Sequence, residues 1–140
     1  MTSAWELRAM RDEDRNYVLS SWLRSYAESP EFRGVTRSVY FALYEPLVKQ
    51  MLARSTVAVA TLPEEPDVVL GWMAIEDDAL HYLLVKPRWR KLGIGRWLMG
   101  HVGEMGAVYT HAFPRGAGEK MVPASWVYSP MRRFAERKAA

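Results

Sequence analysis

Two rhythms of apolar and polar positions alternate along the chain, and each switch between them marks an element. Residues 5–10 alternate weakly at period two and predict a short first strand. Asp12 or Asp14 then stands where a carboxylate accepts the free N–H groups of a helix start. Val18, Leu19, Trp22, Leu23 and Tyr26 recur at helical spacing until Ser29 and Pro30 stop the run. Thr36 or Ser38 caps a second predicted helix, with Tyr40, Tyr44, Leu47, Val48, Met51 and Leu52 on one face. Pro46 lies inside that run and predicts a kink or two shorter helices.

The β rhythm returns over residues 56–61, 67–75 and 79–85. Turn-forming stretches at 63–66 and 76–78 join these runs into an antiparallel meander. Ile94, Trp97, Leu98, His101, Val102 and Met105 restore helical spacing, and Gly106 ends it as a left-handed cap. A strand at 107–113, a loop or short helix at 114–123, a last strand at 126–129 and a basic helix at 131–138 complete the prediction. The pattern holds no internal repeat and describes one domain over residues 1–140.

Composition narrows the chemistry. Nearly half of the 140 residues are apolar, 49%, enough to build a core without staples. Cysteine is absent, which excludes a disulfide framework, a thiolate zinc site and a cysteine nucleophile. His101 and His111 have no neighbours at metal-ligand spacing, so no metal is expected, and His101 is expected to pack on its helix face. The first residues lack the basic start and apolar run of a signal peptide, and no stretch is long enough to span a membrane. A cytoplasmic protein is the expectation.

The net charge of +3 is unevenly spread. Residues 1–85 hold 8 Lys/Arg against 13 Asp/Glu, whereas residues 86–140 hold 11 against 3. Such asymmetry predicts an anion on the C-terminal half, a polyphosphate cofactor or a nucleic acid.

The sharpest motif is Arg90-x-x-Gly93-x-Gly95 between the third strand of the meander and the next helix. A helix start presents N–H groups without partners and the positive end of its dipole, and glycines let a ligand approach them closely. Arg88, Arg90, Lys91 and Arg96 add fixed charge, which makes the turn fit for phosphate or pyrophosphate. A dinucleotide fingerprint lacks its third glycine here, and a P-loop lacks its Gly-Lys-Ser/Thr.

Residues 83–99, with Val85-x-Pro87, the Arg-x-x-Gly-x-Gly run and an early-leucine helix, resemble the acetyl-coenzyme-A signature of the GNAT superfamily of N-acetyltransferases. The resemblance extends more loosely over residues 5–129. It implies an α/β (α+β) fold: a mixed, mostly antiparallel sheet of about six strands flanked by helices, with a V-shaped splay between strands 4 and 5. It implies acetyl-CoA as cosubstrate, with the main chain around Leu83 and Val85 pairing with the pantetheine arm. The N–H groups of Arg90, Lys91, Leu92, Gly93, Ile94, Gly95 and Arg96 would hold the pyrophosphate, and Lys91 and Arg96 would reach the adenosine phosphates.

Direct transfer to an amine needs a base, donors for the oxyanion and a proton for the departing thiolate. His81 is the candidate base: strict alternation puts it on the face of Leu83 and Val85. Its spacing to the glycine run is similar to that of a strand-4 histidine in arylalkylamine N-acetyltransferases. Other superfamily members carry a glutamate two residues earlier, where this chain has Ala79. Glu76, Asp77 and Asp78 read as solvated turn residues. The tyrosine acid common after strand 5 in that family is missing from residues 114–123, and Tyr128 is the substitute, with Tyr109 and Ser129 behind it.

The expected function is acetyl transfer to a small molecule, a peptide amine or an aminated nucleobase, by a monomer or homodimer. A non-catalytic module that binds nucleic acid through Arg132, Arg133, Phe134, Arg137 and Lys138 is the alternative, and a coenzyme-A sensor is another.

Overall fold

A computed structural model describes residues 4–102, 108–111, 122–123 and 125–134. In chain order the elements are β1 (Glu6–Ala9), α1 (Asp12–Tyr26), α2 (Arg37–Arg54), β2 (Thr56–Leu62), β3 (Glu65–Glu76), β4 (Ala79–Val85), α3 (Ile94–Val102), β5 (Val108–Tyr109) and β6 (Val127–Tyr128). Short 3-10 turns at Pro30–Phe32, Pro87–Trp89 and Pro130–Arg133 each begin on a proline, whose fixed φ suits a first helical position. The predicted cap at Gly106, most of the 114–123 segment and the end of the basic tail lie outside the described residues. Where that tail is described, it forms only the turn Pro130–Arg133.

The six strands form one sheet in sequence order. β1 to β4 are antiparallel, whereas β5 runs parallel to β4 and β6 parallel to β5. Each face of the sheet carries its own core. Val18, Trp22 and Tyr26 of α1 and Tyr40, Tyr44 and Val48 of α2 pack on Val57, Val59, Trp72, Tyr82 and Leu84. On the other face, Ile94, Leu98 and Val102 of α3 pack with Leu70, Met73, Leu80 and Trp126. The period-two strands explain this division, because successive side chains leave a strand on opposite faces.

Helix α1 starts one residue before its expected acidic caps. Arg11 is the cap residue, and Asp14 accepts the Arg11 N–H at 2.9 Å from within the first turn, while Arg8 of β1 grips the same carboxylate at 2.7 Å. These bonds hold the Asp14 carboxyl below the usual range and fix β1 to α1. Helix α2 contains Pro46 and stays a single helix. Both Pro46 and Ala42, whose carbonyl loses its partner at the proline, are exposed, so water can satisfy that carbonyl.

Gly71 of β3 faces Val85 of β4, and a Cβ there would lie 2.6 Å from the Leu84 carbonyl oxygen. Only glycine permits that approach. Gly71→Ala is expected to push β4 outward and to destabilise the fold by about 1–3 kcal/mol, the range for overpacking. Urea unfolding measures it; an unchanged midpoint would contradict the close contact.

Candidate active site

The cofactor end follows from how β4 finishes. Lys86 N–H donates to the Leu70 carbonyl at 2.9 Å, one step beyond the Gly71–Val85 pair. In an antiparallel ladder this makes Gly71–Val85 a non-hydrogen-bonded pair, and Met73–Leu83 likewise. Leu83 and Val85 therefore turn their N–H and C=O groups away from β3. On that side β5 pairs with β4 only at Ala79 and Leu80, and Thr110 N–H adds a last bond to the Leu80 carbonyl at 3.1 Å. Among the described residues no ladder bond joins the strands beyond it. Strand pairing ends there among the described residues, and the main chain from Leu83 to Val85 has no strand partner among them on that side.

The chain then turns into α3. Arg90 Nε donates to the Val85 carbonyl at 2.9 Å, which pins the turn and occupies one of the edge acceptors. Lys91 and Gly93 both have positive φ, 66° and 92°. Glycine adopts this conformation freely, whereas lysine holds it at a cost. The first α3 bond joins Trp97 N–H to the Gly93 carbonyl at 2.9 Å, so Ile94, Gly95 and Arg96 present N–H groups that precede the helical ladder. The space before them is open: a Cβ on Gly93 would meet only Trp5, at 3.8 Å. Lys91 and Arg96 are exposed beside the turn, and so is the Leu92 side chain at 56%. Ile94 is buried under α3 and offers only its main chain. A polyphosphate fits this donor set.

The acceptor end differs from the sequence reading. Ala74 pairs with Tyr82 and Ile75 with Leu80, which leaves His81 as an extra residue in β4. This bulge breaks the alternation. Leu83 and Val85 pack on the α3 side, whereas His81 turns toward α2 and the His111 ring. His81 is 1% exposed with both ring nitrogens engaged, by Glu76 at 2.8 Å and Thr110 at 2.9 Å.

The donors in this network are determined. Burial holds both His81 and His111 below the ordinary histidine range, so each is neutral at pH 7. A carboxylate only accepts, so His81 Nε2 carries the proton and its Nδ1 accepts from the Thr110 hydroxyl. That hydroxyl in turn accepts from His111 Nδ1–H at 2.8 Å, and His111 Nε2 accepts from the Tyr44 hydroxyl. Trp22 Nε1–H donates to Tyr44 at 3.0 Å and closes the chain. The result is one continuous polarity from Trp22 to Glu76.

Charge around the end of this pairing is balanced locally. Glu76 is paired with Arg54 at 3.0 Å, and Asp78 with Arg132 at 2.7 Å. Glu76 is thus a strand residue in an ion pair, and Asp78 a half-exposed turn residue in one. Against desolvation, His81 and Arg54 hold the Glu76 carboxyl below its usual range, and Arg132 does so for Asp78. Arg132 and Arg133, read from sequence as candidates for nucleic-acid phosphates, are committed to Asp78 and Glu31. Tyr128 is 43% exposed on β6, where it stacks on Tyr109 with ring centroids 5.3 Å apart. The structure does not bring it to His81, whose partners are Glu76 and Thr110. His101, expected to be packed, is exposed against Trp97. Sequence reasoning missed Thr110 and assigned Glu76 and Arg133 other roles. The signal is spatial, since Thr110 and Arg133 lie far along the chain from most of their partners.

Solved structures share this fold. YjaB from Escherichia coli matches with a TM-score of 0.55 and 25% identity over 74% of this chain and 67% of that one. YycN from Bacillus subtilis, provisionally named an acetyltransferase, matches with a TM-score of 0.64 and 14% identity over 97% of this chain and 95% of that one. A GCN5-related N-acetyltransferase from Rhodopseudomonas palustris matches with a TM-score of 0.53 and 20% identity, over 74% of this chain and 66% of that one. This chain has the GNAT fold. The matches to the Escherichia coli and Rhodopseudomonas palustris proteins span about two thirds of their length. No protein-family model and no curated protein matches the sequence. Within the GNAT fold, the edge at Leu83–Val85 and the turn before α3 lie end to end. No helix among the described residues is long and apolar enough to cross a membrane.

Proposed function

We propose that the chain is an N-acetyltransferase that moves an acetyl group from acetyl-CoA directly to an amine. The observation that carries this reading is the continuity of an open helix start with a strand edge that no other strand pairs among the described residues. A pantetheine amide would pair with the Leu83 and Val85 main chain as an added strand, and the pyrophosphate would lie on the Ile94–Arg96 N–H groups. Lys91 and Arg96 would meet the adenosine phosphates.

The amine nitrogen attacks the thioester carbonyl carbon, the C–S bond breaks, and the amine proton leaves. His81 is the proposed base. Glu76 fixes its tautomer with Nε2–H donated to the carboxylate, so Nδ1 is the basic nitrogen. Thr110 covers that nitrogen, and its hydroxyl has a second acceptor in the His81 carbonyl at 3.5 Å, which frees Nδ1 when the rotor turns. Tyr128 is the proposed acid for the thiolate. A cytoplasmic location belongs to the same proposal.

Acetyl-CoA at one hundred times its Kd is expected to stabilise the protein by about 2.7 kcal/mol, read as a rise in Tm. No rise at saturation rejects the reading. Thioester turnover with an amine panel then tests the base: His81→Ala is expected to lower kcat by about 100-fold or more, the range for general base removal. Full activity of that variant from pH 6 to 9 rejects the His81 assignment.

A further inference from the structure

One buried cation has more partners than the catalytic reading uses. Arg133 lies in the turn Pro130–Arg133 after β6, where the sequence predicts a basic helix over 131–138. The residue is 6% exposed, and all three of its guanidinium nitrogens are engaged. Nε donates to the Thr110 carbonyl at 2.8 Å. The two terminal nitrogens donate to the two oxygens of Glu31, each at 2.7 Å, and one also reaches the Tyr26 hydroxyl at 3.1 Å.

These partners close a circuit. The main-chain carbonyl of Arg133 accepts from Arg54 at 2.7 Å, and Arg54 Nε donates to Glu76 at 3.0 Å. The other Glu76 oxygen accepts from His81, His81 accepts from the Thr110 hydroxyl, and the Thr110 carbonyl returns to Arg133. The circuit encloses the point where β5 leaves β4, because Thr110 directly follows the last strand pair. Glu31 extends it to the turn Pro30–Phe32 between α1 and α2.

Stability alone does not account for this arrangement. Burying a guanidinium with a carboxylate costs desolvation that their attraction roughly offsets, and an apolar pair of similar volume often serves as well. What the planar fork supplies is orientation, since it fixes a carboxylate and a strand carbonyl relative to one plane.

We propose that Arg133 is a positioning residue whose circuit sets how β5 departs from β4. It thereby holds the Glu76–His81 pair and the α1–α2 turn in a fixed relation to the edge of Leu83 and Val85. Only the activity readout of this proposal rests on the acetyl-transfer reading.

The test uses Arg133→Met, Arg133→Lys and Glu31→Gln in the full chain. Imidazole nitrogen NMR on the wild type is expected to find His81 as the Nε2–H tautomer and His111 as the Nδ1–H tautomer. All three variants, the lysine included because it keeps the charge without the fork, are expected to show mixed His81 tautomers. Amide exchange at Thr110, whose N–H bonds the Leu80 carbonyl where β5 leaves β4, is expected to quicken in step. With acetyl-CoA and a responsive amine, kcat is expected to fall by about tenfold or more, as misplacement of reacting groups does. Acetyl-CoA Kd is expected to change less than kcat, because the turn before α3 is a separate site and only the pantetheine edge is disturbed. Wild-type tautomers and wild-type exchange in a folded variant overturn the proposal. If Arg133→Met does not fold, Glu31→Gln decides. Failure of the wild type to bind acetyl-CoA overturns the proposed function instead, and the NMR and exchange results still judge the circuit.

Discussion

Gly93→Val is expected to weaken acetyl-CoA binding by roughly 5- to 150-fold while the unliganded protein stays folded. The backbone at Gly93 has φ of 92°, and a β-branched residue is held there at a cost of roughly 1–3 kcal/mol, which converts to that range of affinity. The new side chain meets little, since even its Cβ position has only Trp5 within 4 Å, at 3.8 Å. The turn relaxes by changing φ, and the N–H groups of Ile94, Gly95 and Arg96 lose their common aim. Gly100→Ala, one α3 position with open space around it, is the matched control. It is expected to stabilise the helix by about 0.5–1 kcal/mol and leave binding unchanged. Calorimetric titration of both variants checks the pair; equal affinities would reject the role of the turn.

Acid is expected to unfold this protein earlier than its carboxylates alone would require. His81 and His111 are both held below 6.5 by burial, with Arg133 adding to the effect at His111 and Glu76 opposing it at His81. The sign follows from linkage. Their full contribution is present above pH 6.5, where neither state binds the proton. Below that, the unfolded chain takes up protons that the folded chain refuses, and stability is lost as pH falls from 6.5 toward the folded values. Each histidine contributes a slope of about 1.4 kcal/mol per pH unit across its window. A second loss follows below about pH 4.5, as Glu31 and Glu76, both lowered, begin to protonate in the unfolded chain. Urea midpoints from pH 7.5 to 5 measure the first phase. His111→Gln is expected to remove about one proton from that slope, and a flat wild-type profile would sink the assignment of two neutral buried histidines.

Much of the architecture is legible along the chain because it depends on local periodicity. The helical spacing of Val18, Trp22 and Tyr26, and of Tyr40, Tyr44 and Val48, marks the faces that are buried. The glycine turn was readable for the same reason, as its function needs only consecutive residues. The acceptor end was not. A bulge at His81 leaves no trace in composition, and alternation without it assigns the wrong face. Glu76 reads as a solvated turn residue and Arg133 as a nucleic-acid contact, because charged residues are usually exposed; their partners His81 and Glu31 come from unpatterned or distant positions. The described strands β5 and β6, by contrast, fall within the runs predicted at 107–113 and 126–129.

The sheet carries a separate core on each face, and that separation has an evolutionary consequence. A change of volume at Tyr40 or Val48 is absorbed among α1, α2 and the residues facing them, and does not reach Ile94 or Leu98 behind the strands. Substitutions in the two halves should then combine nearly additively. Drift or directed selection can reshape the α1–α2 side while the turn before α3, supported from the other face, is inherited unchanged.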